Sequence, residues 1–210
     1  MKIDSLVLGI YQTNCYILHN GEANENCLII DTGLEADELV CFLRQHKLNP
    51  VIIILTHGHI DHIRGIIALR EHYPSVKVYI HKLDSKMLKD AKSNLSALSD
   101  EPFSTNPADL ILEEGNMIEQ AGMKLQVLHT PGHTKGGISL YSKNEAVVFV
   151  GDTLFSNSIG RTDFPDGSMT QLVRSIKEKL FILPNETVVY PGHGPATTIG
   201  YEKENNPFLR

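Results

Sequence analysis

Apolar and polar positions set the period along this chain before any single residue stands out. Residues 2–8, 13–19 and 27–31 are rich in β-branched and aromatic residues with period-two stretches, and they predict strands. Further strands are predicted at 51–55, 76–80, 123–129, 138–142, 146–150 and 187–190. The period lengthens in three places. Residues 35–47 carry Leu39, Val40 and Leu43 on one stripe, and residues 61–72 place Ile63, Ile66 and Ile67 at helical spacing. Residues 169–181 bring Met169, Leu172, Val173, Ile176 and Leu180 to one face, behind a capping box of Ser168 and Gln171. The segment from Lys92 to Pro107 is rich in Ser, Asn, Asp and Pro, and predicts a surface loop or short irregular helices. The early and middle strands come in runs, so the pattern predicts an α+β fold of stacked mixed sheets flanked by helices, not a pure doubly wound sheet.

With 210 residues and no repeat, low-complexity tract or linker, the pattern predicts a single domain over 1–210. A formal net charge of −6 leaves no basic footprint, which argues against nucleic acid as a partner. The N-terminal stretch alternates and lacks the apolar core of a signal peptide, and no stretch is apolar enough to span a membrane. Cys15, Cys27 and Cys41 form an odd set with no close pairing, read as reduced, partly buried thiols of a cytoplasmic protein. Oligomeric state leaves no mark in the sequence.

The chemistry gathers at strand ends. VIIILT leads into His57, KLQVLHT leads to His133, AVVFVG leads into Asp152, and TVVY leads to His193. Loops at the C-terminal ends of strands can converge while the strands stay rigid. His59, Asp61 and His62 follow His57 closely, giving five histidines and two aspartates without a cysteine. Imidazole and carboxylate suit zinc, iron or manganese. Seven ligands exceed one tetrahedral ion, whereas two divalent ions sharing a carboxylate fit, with Asp152 as the bridge. His57 and His59, two apart in an extended loop, point the same way, while Asp61 and His62 begin the next helix and can serve a second ion. Gly132, Gly192 and Gly194 are expected to let backbone pass close to the ions.

THGHIDH, HTPGHT, GDTLF and PGHG, in this order, resemble the metallo-β-lactamase superfamily of metal hydrolases. DTG at 31–33 is similar to its first motif, and GDTLFSNSIGRTDFPDGS and TTIGYEKENNPFL look like short glyoxalase II-like (hydroxyacylglutathione hydrolase-like) members. The resemblance implies a four-layer αββα sandwich with a dinuclear site on one edge. It assigns His57, His59 and His133 to one metal, Asp61, His62 and His193 to the other, and Asp152 to both. Asp31 would support the site without binding metal.

The expected activity is hydrolysis of a small-molecule thioester, such as S-lactoylglutathione, by metal-held hydroxide, with Asp61 orienting the nucleophile and zinc the first choice of metal. No general acid is evident in the motifs, which favours a thiolate leaving group over an amine. Arg161 reads either as a loop salt bridge with Asp163 or as a grip on a substrate carboxylate at the site mouth. The chain ends at Arg210, close behind His193, where fuller relatives carry a long helical region that helps to hold glutathione; a more open pocket with weak affinity for that part is expected. A mononuclear iron persulfide dioxygenase, a lactonase and a non-enzymatic metal-binding module are the rival readings. An exported β-lactamase fits less well without a signal peptide. His19, His46, His72, His81 and His129 read as surface or packing residues, with a supporting role behind the ligands open for His129.

Overall fold

The protein is described here from a computed structural model covering residues 1–21, 25–99 and 101–210. A six-stranded sheet contains β1 (Lys2–Leu8), β2 (Thr13–His19), β3 (Asn26–Ile30), β4 (Asn49–Ile54), β5 (Lys77–His81) and β6 (Leu110–Leu112), side by side in chain order. Its first three strands pair antiparallel, and β3 through β6 pair parallel. The later chain supplies β7 (Met117–Gln120), β8 (Met123–His129), β9 (Ile138–Ser142), β10 (Val147–Gly151), a small ribbon of β11 (Leu154–Phe155) and β12 (Ser158–Ile159), then β13 (Val188–Pro191) and β14 (Thr197–Thr198). The second six-stranded sheet runs β14-β13-β10-β9-β8-β7, with β10 and β13 parallel.

Side-chain alternation sorts these strands into layers. On β2 and β3, Tyr16, Leu18, Leu28 and Ile30 face the second sheet, where they meet Leu125, Val127, Leu140 and Phe149. The intervening Cys15, Ile17, Cys27 and Ile29 face outward, under α1 (Asp37–Gln45), α2 (Ile60–Ile63) and α3 (Ile66–His72). On β10, Val147 and Phe149 face inward, while Val148 and Val150 face α4 (Met169–Ser175) through Leu172, and Ile199 of α5 (Ile199–Asn205) joins the same cluster. Both faces of the central strands are therefore covered, which is why strands such as β3, β4 and β10 read as nearly continuous apolar runs, while β1 and β7 at the sheet edges stay largely exposed. The result is the expected helix–sheet–sheet–helix sandwich. Each fully buried aliphatic side chain contributes about 1.5–3 kcal/mol relative to exposure.

Some predicted elements differ. The helix expected over 61–72 is two helices. Thr32 donates its N–H (2.8 Å) and its hydroxyl (2.9 Å) to the carbonyl of His62, and Gly65 N–H donates to Gly33 (3.1 Å). The DTG segment thus claims the bonds that would have continued the helix. The helix predicted over 169–181 closes as a π-helical turn at Ile176–Leu180. Ser168 does accept from Gln171 N–H, but its own N–H goes to Gly132, so only half of the capping box forms. The segment from Lys92 to Pro107 is mostly irregular, with a 3₁₀ turn at Ser96–Leu98, and position 100 within it lies outside the described residues. It is not merely surface: Asn94 is buried and its carbonyl accepts from Ile60 N–H (2.9 Å), seating the start of α2. Strands β6, β7, β11, β12 and β14 and helix α5 were too short to show a period.

Candidate metal centre

Parallel pairing aligns the ends that carry the chemistry. Ile30 pairs with Ile54, so Asp31 and Thr56 emerge together from β3 and β4. Gly151 pairs with Pro191, so Asp152 and His193 emerge together from β10 and β13. The loop after β8 brings His133 across, and Ile138 N–H donates to the Thr56 carbonyl (2.9 Å), tying the two sheets at this rim.

All seven predicted ligands meet there. Ligand atoms of His57, His59 and His133 lie within 4.8 Å of one another, as do those of Asp61, His62 and His193, and those of His57, His62 and Asp152. Asp152 faces both trios: its Oδ2 is 3.5 Å from His133 Nε2 and 3.6 Å from His193 Nε2, and its Oδ1 is 3.5 Å from His62 Nε2. Asp61 Oδ2 is 3.2 Å from His193 Nε2 and 3.3 Å from His62 Nε2.

The donor set fits metal ions on the protein's own terms. His57 Nε2, His62 Nε2 and Asp152 Oδ1 are buried without a hydrogen-bond partner, and they converge on one another. Buried polar atoms left unpaired are costly and uncommon, and three gathered this closely are accounted for by bound cations. Burial first, then crowding by His62, His59 and His133, holds His57 well below its ordinary range, and burial with His133 holds His59 down at about 3. These imidazoles keep free lone pairs. Burial would likewise depress His62, but Asp61, Asp31 and Asp152 outweigh it and favour positive charge there. Burial opposes ionisation of Asp61, yet His62 and His193 hold it well below the usual carboxylate range.

The remaining ring nitrogens are fixed from behind. His62 Nδ1 is 2.8 Å from Asp31 Oδ2, His133 Nδ1 is 2.7 Å from the carbonyl of Arg161, and His193 Nδ1 is 2.9 Å from that of Tyr11. Each acceptor holds the proton on Nδ1 and turns Nε2 inward. Asp31 therefore stands directly behind His62. Arg161 contributes its carbonyl; its exposed guanidinium pairs with Asp163 (2.8 and 3.0 Å) and lies over the ring of Phe164, 4.4 Å from the centroid. That ring in turn sits edge-on to His59 at 5.4 Å, which puts Arg161 at the rim of the cluster.

Three supports escaped the sequence reading. Asp84, 1% exposed, accepts from Gly58 N–H (3.2 Å), Gly136 N–H (2.7 Å) and the Thr134 hydroxyl (2.7 Å), joining the loops of His57 and His133. Asn14 donates to the carbonyls of Pro191 and Gly194 (2.9 Å each), and Tyr16 donates to Pro191 (2.6 Å), seating the His193 loop. Of the expected glycines, Gly192 does press on the cluster: a Cβ there would lie 2.2 Å from Asp152 Oδ1. Gly132 instead makes room for the α4 backbone at Leu172, and Gly194 has open space with φ +73°. His129 stands behind no ligand; it stacks on His81 at 4.2 Å.

A two-sheet sandwich with a His/Asp cluster suited to two ions at one rim defines a class of metal-dependent hydrolase. The metallo-beta-lactamase superfamily matches residues 8–193, and the chain belongs to that superfamily. Over its whole length it is 35% identical to the hydroxyacylglutathione hydrolase GloC of Haemophilus influenzae, spanning 98% of that protein. It is 41% identical to BLEG-1, described as a B3 metallo-beta-lactamase, with a TM-score of 0.93 over 99% of both chains. It is 38% identical to TTHA1623, solved in a di-iron-bound form, with a TM-score of 0.87 over 98% of this chain and all of that one. Among the described residues no helix is long and apolar enough to cross a membrane.

Proposed function

We propose that this hydrolase cleaves a small-molecule thioester, S-lactoylglutathione first among them, and that it works in the cytoplasm with two divalent ions, zinc before iron or manganese. The observation that carries the reading is Asp152, whose two oxygens face the two imidazole groups at once. The whole-length likeness to GloC supports the thioester, and the di-iron form of TTHA1623 keeps iron open as the metal. The three cysteines are unpaired, two of them buried, which agrees with a reducing compartment.

In this reading His57, His59 and His133 hold one ion, Asp61, His62 and His193 the other, and Asp152 both. Two such ions, when bound, supply Lewis acidity that makes water acidic enough to attack at neutral pH and offsets charge building on the substrate oxygen. Asp61 keeps its carboxylate ionised beside His193, anchored by the Thr13 hydroxyl (3.2 Å), and orients the attacking group. Arg161, stacked on Phe164 at the rim, suits a carboxylate on the part of the substrate that stays outside, which would displace Asp163 from its guanidinium. Beyond the rim, a groove of about 170 Å³ on the His133 side is lined by Lys86, Lys92 and Lys135 together with Asp84 and Asp166, the last of which pairs with Lys135. Amide cleavage is a second reading because of BLEG-1, but an amine leaving group needs a proton donor that a thiolate does not.

Elemental analysis of the purified protein, followed by steady-state assays on S-lactoylglutathione, a lactone and a β-lactam, tests this reading. Two metals per chain with thioester turnover is the expected result. A fully loaded enzyme that leaves the thioester intact ends the proposal, and a single iron with oxygen uptake on a persulfide would replace it with a dioxygenase.

A further inference from the structure

Thr56 has no place in the ligand set, yet its hydroxyl touches both halves of the support behind it. Asp31 sits at φ 57°, a left-handed conformation that aspartate tolerates, and this turns its carboxylate toward β4. Its Oδ1 accepts the Thr56 N–H at 2.8 Å. Its Oδ2 lies 2.8 Å from the Thr56 hydroxyl and 2.8 Å from His62 Nδ1. The Thr56 hydroxyl lies in turn 3.1 Å from His57 Nδ1.

The donors and acceptors at hand give each bond a direction. An ionised carboxylate only accepts, so the single Thr56 proton goes to Asp31 Oδ2. The lone pairs left on Thr56 Oγ then face His57 Nδ1, which must donate. His57 Nε2 is left bare and buried, and it is one of the unpaired atoms in the cluster. His62 Nδ1 donates to the same Oδ2, and its Nε2 is another unpaired atom. Gly151, the residue before Asp152, leaves room for the Thr56 hydroxyl: a Cβ there would come within 2.3 Å of it.

We infer that Thr56 is a positioning residue that couples the two metal positions. Its hydroxyl passes the charge of Asp31 to His57, so one carboxylate orients and strengthens a ligand in each trio. The inference rests on the assignment of the two trios to two ions, and is independent of which bond the enzyme cleaves. Removing a group that orients a metal-binding histidine weakens affinity about 10- to 100-fold.

The test is stepwise metal titration of metal-free protein by calorimetry, with cobalt absorption spectra as a second readout, on four variants. Thr56→Val keeps the volume and removes the hydroxyl; it is expected to weaken the His57–His59–His133 position about 10- to 100-fold and the other position far less. Asp31→Asn is expected to weaken both. In the Thr56→Val background, Asp31→Asn should weaken only the Asp61–His62–His193 position further. Thr56→Ser should restore wild-type binding and the cobalt spectrum. If Thr56→Val does not fold, judged by its melting curve without metal, Thr56→Ala carries the same comparison. Equal weakening of both positions by the valine variant, full additivity with Asp31→Asn, or failure of serine to restore binding overturns the inference. None of these readouts uses a substrate, so absence of thioester turnover would strike the proposed function and leave this result standing.

Discussion

Replacing Asp84 by alanine tests how much of the centre depends on a buried carboxylate that binds no metal. Its oxygens accept from two backbone amides, Gly58 and Gly136, and from the Thr134 hydroxyl. A hydroxyl can rotate to another acceptor, but two amides on fixed backbone cannot. Each buried donor left without a partner costs about 1–3 kcal/mol, so the variant should lose about 2–6 kcal/mol. That is a large share of a total stability of about 5–15 kcal/mol. At about 2–4 °C per kcal/mol for a chain of this size, melting of the metal-free protein should fall by about 4–24 °C. Because the two amides flank the loops of His57 and His133, metal titration should show that trio weakened before the one containing His193. Asp84→Asn, which keeps the shape and one acceptor oxygen, should lie between wild type and alanine. A melting temperature for Asp84→Ala within about 2 °C of wild type would refute the reasoning, since both amides bond to Asp84.

Gly192→Ala should disrupt the cluster with little effect on the core, because the new Cβ would fall 2.2 Å from Asp152 Oδ1 and 2.8 Å from His62 Cε1; bound metal per chain should drop, and an unchanged metal content would count against the proximity argument. Arg161→Ala should raise KM for a carboxylate-bearing thioester modestly and leave kcat nearly unchanged, as exposed charge pairs contribute little; equal KM for charged and neutral thioesters would remove Arg161 from substrate binding. In the folded protein, burial and the neighbouring His129 push His81 from 6.5 down to about 4. The unfolded chain then takes up the proton first as pH falls, so stability should decline between pH 6.5 and 4, and His81→Gln should flatten that slope in pH-dependent melting.

What could be read from the chain, and what could not, divides along physical lines. The ligands were legible because His57, His133, Asp152 and His193 each follow an apolar strand, and because imidazoles clustered as tightly as His57, His59 and His62 have few other uses. The strand 146–150 was visible because burial on both faces leaves no polar interruption. Asp84 gave no such sign: nothing in HKLDSKML marks it as the acceptor for amides 26 and 52 residues away in sequence. The break at Gly65 was hidden for the same reason, since it depends on Thr32 reaching across from another strand end. Thr56 reads in the sequence as the end of a strand; only the two distances from its hydroxyl reveal what it joins.

The cluster also draws on both slabs of the sandwich. His57, His59, Asp61 and His62 hang from the sheet of β4, while His133, Asp152 and His193 hang from the sheet of β8, β10 and β13. Away from this rim, the inner faces meet mainly through oily side chains such as Leu28, Ile54 and Phe149. A cation gripped from both sides is then a rivet across the seam. With rivets in place, neither slab can peel away alone, and amide hydrogen exchange in the two should slow in step as the protein is loaded.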